Sequence, residues 1–155
     1  MKRLTILFSL LLSVVMFASC EKESETSKPQ TPDQPIKYVG TITVTTDGDA
    51  EFKHEGVEVV ANFDSDTTLN LDMINVKFAE NMPMTITMNV AGISYSNNNG
   101  TYTFNSTDTI IPTLAGEPFD RFPINDLTGE MDADAMNITF LCGAYPVKFE
   151  GAVTK

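Results

Sequence analysis

From Tyr38 onward the chain alternates apolar and polar residues with a period of two. Tyr38, Gly40, Ile42 and Val44 fall on one side, and Val39, Thr41, Thr43 and Thr45 on the other. Successive side chains of a strand point to opposite faces, so this is the pattern of a half-buried strand. Thr46-Asp47-Gly48-Asp49 interrupts it as a turn. The alternation resumes at Val57–Phe63 and, after the polar turn Asp64–Thr68, at Leu69–Met73. In Met84–Val90, the residues Met84, Ile86, Met88 and Val90 share one predicted inward face opposite Thr85, Thr87 and Asn89. Asn97-Asn98-Asn99-Gly100 predicts a tight hairpin, because Asn-Gly accepts the positive φ angles of a type I′ turn. Tyr102 and Phe104 return on one face, and further strands are read at Ile124–Met131, Met136–Cys142 and Val147–Val153.

About eight short strands with regularly spaced turns predict an all-β domain over residues 37–155. Nearly every connection reads as a local hairpin, which favours an antiparallel up-and-down β-barrel of about eight strands; a β-sandwich is the alternative. The segment Asp108–Asp126 breaks the rhythm, since Pro112, Pro118 and Pro123 prevent continuous pairing.

The chain opens with Met1-Lys2-Arg3 and an apolar run from Leu4 to Ala18. A basic start, a short apolar core and small residues before a cut site read as a signal peptide over 1–19, since a membrane span needs roughly 20 apolar residues. Phe17-Ala18-Ser19-Cys20 resembles the bacterial lipobox, which implies a diacylglycerol on the Cys20 sulfur and cleavage just before it. Each buried methylene contributes about 0.8 kcal/mol, so several acyl chains hold a soluble domain firmly to a bilayer. The stretch 20–36, with Pro29, Pro32 and Pro35 among mixed charges, then reads as the lipidated cysteine and a disordered tether. The expected partner is the membrane, through this lipid, and the expected location is the outer membrane, at the cell surface or facing the periplasm.

Tyr38–Val44, the run of alternating strands and the stretch Leu127–Phe140 resemble the calycin-like domains of lipoproteins from Gram-negative gut anaerobes. That resemblance covers Tyr38 to about Val153 and implies a lipocalin-like up-and-down barrel behind a lipidated cysteine. The family brings no catalytic residues to carry over.

The formal net charge is −11, and loss of Lys2 and Arg3 with the leader takes it to −13. So acidic a surface repels phosphate backbones, and no nucleic-acid partner is expected. His54 is the one histidine, flanked by Lys53 and Glu55, and no second ligand or base lies at a useful spacing. Cys142 shares an apolar face with Met136, Ile138 and Phe140, where a thiol behaves as a small hydrophobe. Asp64-Ser65-Asp66 and Asp132-Ala133-Asp134 lack the glycine and distal glutamate of a calcium loop. The sequence therefore predicts no catalytic residue, no metal, no cofactor and no enzyme.

Two non-catalytic roles remain. Flexible thioethers and aromatic rings on inward faces, namely Met84, Met88, Phe104, Met136 and Phe140, are candidates to line a cup for a small apolar or amphiphilic ligand. The alternative is a solid-cored structural or interaction module, or a protease inhibitor, meeting an envelope protein through Ile110, Ile111, Phe119 and Phe122 of the irregular segment, unless that segment plugs the barrel mouth.

Overall fold

A computed structural model of the chain describes residues 31–154, so the signal peptide, Cys20 and most of the tether lie outside the described residues. The strands are β1 (Ile36–Thr45), β2 (Glu51–Phe63), β3 (Thr68–Val76), β4 (Ile86–Asn98), β5 (Thr101–Ser106), β6 (Thr113–Leu114), β7 (Glu117–Pro118), β8 (Ile124–Met131), β9 (Ala135–Cys142) and β10 (Tyr145–Val153). Eight of them close a ring in which every neighbour is antiparallel. The order around the ring follows the chain, β1-β2-β3-β4-β5-β8-β9-β10, and β1 pairs with β10 to seal it. This is the up-and-down barrel; the sandwich alternative falls away, because no strand edge separates two sheets.

Local chemistry explains the turns. Asn99 and Gly100 have φ of 53° and 91°, as a two-residue type I′ hairpin requires. Between β8 and β9, the Asp132 carboxylate accepts from the Asp134 and Ala135 amides at 2.8 and 2.9 Å. Between β2 and β3, the Ser65 hydroxyl accepts from the Thr67 and Thr68 amides at 3.2 and 3.1 Å. Both acidic turns are thus held by local side-chain capping of the backbone.

Four positions with positive φ reset the alternation inside strands: Gly56, Asn75, Gly92 and Asp126. Val57, Val59 and Ala61 are buried after Gly56, and Val76 and Phe78 are buried on the far side of Asn75. The first two bulges lie against each other. Asn75 Nδ2 donates to the Gly56 carbonyl at 2.9 Å, and His54 Nε2 lies 2.9 Å from the Asn75 carbonyl. His54 is therefore a brace for a bulge, one of the sites where a barrel wall bends.

The inward faces form one continuous apolar core running from Tyr38 through Ile42, Leu69, Met88 and Met136 to Phe149, and no charged side chain is buried among the described residues. Each such side chain contributes roughly 1.5–3 kcal/mol by leaving water. Rings close both ends. At the rim where β1 starts, Phe63, Tyr95 and Tyr102 pack with centroids 5.0–5.8 Å apart. At the far rim Phe78 lies 5.2 Å from Phe122 and 6.3 Å from Phe140.

Tyr38 is fully buried and donates its hydroxyl to the Asp132 carbonyl at 2.6 Å, tying β1 to the β8–β9 turn. Burial, then the nearby Asp132 and Tyr102, pushes its phenol well above the ordinary range. The unfolded chain gives up this proton near pH 10 while the folded chain holds it, so stability falls as pH rises above 10. Tyr38→Phe is expected to lower stability at pH 7 by about 1 kcal/mol, the net value of a hydrogen bond. Urea midpoints followed from pH 8 to 11.5 should fall less steeply for the variant. A parallel fall would mean that other groups carry the alkaline transition.

Candidate functional site

The structure places four of the five proposed cup residues in the packed interior. Met88 and Met136 have 1% and 0% of their surface reachable, and Phe104 and Phe140 have 4% and 3%. A side chain bordering a void wide enough for water would expose surface to it, so Met88 and Met136 border none. In this structure they fill space in the barrel.

Met84 is elsewhere. It is 69% exposed, two residues before β4 begins at Ile86. The alternation through Met84 stops being strand there, because residues 77–85 turn across the far rim, with the Phe78 amide donating to Met82 Sδ at 3.1 Å and the Met82 amide to the Ala79 carbonyl at 3.2 Å. Phe78 is the ring that seals this mouth, and sequence reasoning missed it. The signal was the shift in parity at Asn75, which turns Phe78 inward.

The irregular segment supplies wall as well as cover. Ile110 exchanges backbone hydrogen bonds with Ile124 at 2.8 and 2.9 Å, and β6 pairs with the upper part of β4 through Met88–Leu114 and Asn89–Thr113. These contacts fill the gap above the end of β5. Phe119 and Phe122 stack edge to face at 5.3 Å and are half-buried, with the Arg121 guanidinium 5.8 Å from the Phe122 ring. Of the four proposed partner residues only Ile111, at 40%, is exposed.

Two concavities of ligand size lie on the outer wall. The larger, about 640 Å³, crosses β4, β5, β8 and β9. It is lined by Ser94 and Ser96, Thr103 and Asn105, Thr128 and Glu130, and Asn137 and Thr139. Tyr95, Phe104 and Gly129 lie between them; the two rings are buried, so these residues present main chain as a floor. The smaller, about 340 Å³, lies over Thr43, Thr45, Leu141, Pro146 and Lys148.

Elsewhere on the wall some polar side chains are tied to one another. Asn62 and Asn89 both donate to the Asp72 carboxylate at 2.8 Å, and Lys37 pairs with Glu58 at 2.5 Å. Lys148 pairs with Glu150 at 2.8 Å.

Within the core, burial pushes the Cys142 thiol up to about 11, so it stays protonated at neutral pH and is no nucleophile. Among the described residues no three His, Cys, Asp or Glu side chains converge to hold a metal ion.

Comparison with known proteins finds no matching family model, no matching curated protein and no matching solved structure. The reading of function therefore rests on the barrel and on the sequence before it.

Proposed function

We propose that this chain is a lipid-anchored envelope protein of the calycin-like type, whose barrel is a non-catalytic interaction module working through its outer surface. The observation that supports this reading is the packed interior: Met88 and Met136 are fully buried, and two ligand-sized concavities lie on the outside. The anchor is argued from the apolar run that ends in Ala18-Ser19-Cys20 and the polar, proline-containing stretch that follows. The described chain begins at one rim, where Thr31 Oγ1 donates to Asp66 at 2.8 Å.

Two measurements on the full chain in its producing cells test the reading. Radiolabelled palmitate should enter the parent and not Cys20→Ser. Native mass spectrometry of the purified protein should find the barrel without an apolar guest. An unlabelled parent removes the anchor; a stoichiometric apolar ligand removes the solid core and restores the cup.

A further inference from the structure

We infer that the groove across β4, β5, β8 and β9 is a binding site for a neutral carbohydrate. The inference builds on the reading above, that the outer wall does the work, and adds where on the wall and for what.

The register of the barrel sets the lining in two rows. Ser96 stands opposite Thr103, Thr103 opposite Glu130, and Glu130 opposite Asn137. Two residues along each strand, Asn105 stands opposite Thr128 and Thr128 opposite Thr139. Neighbouring strands are about 4.8 Å apart and alternate residues about 6.6 Å, so the rows form a grid of polar groups on one concave surface.

Among the described residues, none of these side chains hydrogen-bonds another protein group, although all are exposed. That contrasts with the wall of β1–β4, where Asn62, Asp72 and Asn89 satisfy one another and Lys37 holds Glu58. Beyond β9 the rows continue into Glu150 and Lys148, which are already paired. The concavity thus brings eight outward polar side chains with free hydrogen-bonding capacity together on four adjacent strands.

Its chemistry selects the ligand by elimination. No cation lines it, its one charge is the Glu130 carboxylate and the whole chain carries −11, so anions are repelled. Tyr95 and Phe104 keep their rings in the core, so the apolar surface of the groove comes mainly from the carbon of its Ser, Thr, Asn and Glu side chains and main chain, which the C–H faces of a sugar ring can cover between hydroxyl contacts. A single carboxylate is too few ligands for a hard cation. Hydroxyls both donate and accept, as do the Ser, Thr and Asn side chains of the grid. A carboxylate accepts from two adjacent hydroxyls at once, the strongest contact a neutral sugar offers. The volume, about 640 Å³, lies within the range of small-molecule sites and suits a short oligosaccharide.

The test is a glycan array of neutral, sialylated and sulfated oligosaccharides, probed with the full chain in detergent micelles. Retention of a subset of neutral glycans is expected, unchanged on raising the salt. Glu130→Gln and Asn137→Ala should each weaken retention by about tenfold or more, as loss of a charge-assisted or an amide hydrogen bond does, with unaltered melting. Glu58→Gln, on the opposite wall, should bind as the parent does. An empty array, equal retention of sulfated glycans, retention that salt abolishes, or retention that ignores both groove variants overturns the assignment. The last outcome identifies another face of the barrel. An empty array beside a palmitate-labelled, ligand-free barrel removes this site and leaves the anchored solid barrel standing.

Discussion

Gly40→Ala should destabilise the barrel by about 4 kcal/mol or more, a large part of the 5–15 kcal/mol that holds a typical domain folded. Gly40 stands directly opposite Gly151 on the seam where β1 meets β10. A Cβ at position 40 would overlap the Glu150 carbonyl oxygen and come within 2.5 Å of the Gly151 Cα and 2.6 Å of the Glu150 carbonyl carbon. All three are main-chain atoms, so no rotamer change relieves the clash. The strands must separate, and the seam runs in register from Tyr38–Val153 to Val44–Val147. Overpacking a core usually costs about 1–3 kcal/mol when side chains can yield. Here several ladder hydrogen bonds, each worth about 0.5–1.5 kcal/mol net, are lost as well. Gly92→Ala is the control, for its Cβ meets nothing within 4 Å and only the φ of 73° is unfavourable, at about 1–2 kcal/mol. Urea unfolding should rank the two far apart. Equal, small losses would show that the seam can open locally without consequence.

That seam also marks where sequence reasoning stops. Hairpins with strong turn residues were legible, because alternation and turn chemistry are local: Asn99-Gly100 and Asp132-Ala133-Asp134 turn the chain where their residue types demand. The pairing of Tyr38 with Val153 spans nearly the whole domain, and no local pattern encodes it. Bulges defeat the two-residue rule in another way. Asn75 and Gly92 each insert a residue, so Phe78 and Ile93 face inward although unbroken alternation from Leu69 or Met88 would put them outside. Met84 shows the converse, an apolar residue in phase with a strand that has not yet begun. The groove was illegible for a related reason. Thr103 and Asn137 were visible as outward polar residues, yet their meeting around Glu130 depends on β8 pairing with β5 across the whole 107–123 insertion.

Gly129 and Phe104 provide the second large effect, of a different kind. They stand opposite each other on β8 and β5, and the buried Phe104 ring lies over the face of Gly129 where a side chain would be. A Cβ at 129 would overlap the ring, with Cε1 at 3.1 Å the least crowded of its three nearest atoms. Unlike the Gly40 clash, this one is with a side chain. The ring can turn, but only into neighbours that are themselves buried, so Gly129→Ala should cost about 1–3 kcal/mol. Phe104→Ala should cost about 3–5 kcal/mol through the void it leaves. The two changes are not independent, because the methyl at 129 occupies part of that void. The double variant should therefore be more stable than the sum of the singles predicts, by roughly 1–3 kcal/mol. A double-mutant cycle by urea unfolding reads this directly. A sum that closes to within about 0.5 kcal/mol would mean that ring and glycine do not share the site. The same pair floors the outer groove between Thr103 and Glu130, so the glycine that lets the ring pack inside also sets the depth of the surface outside.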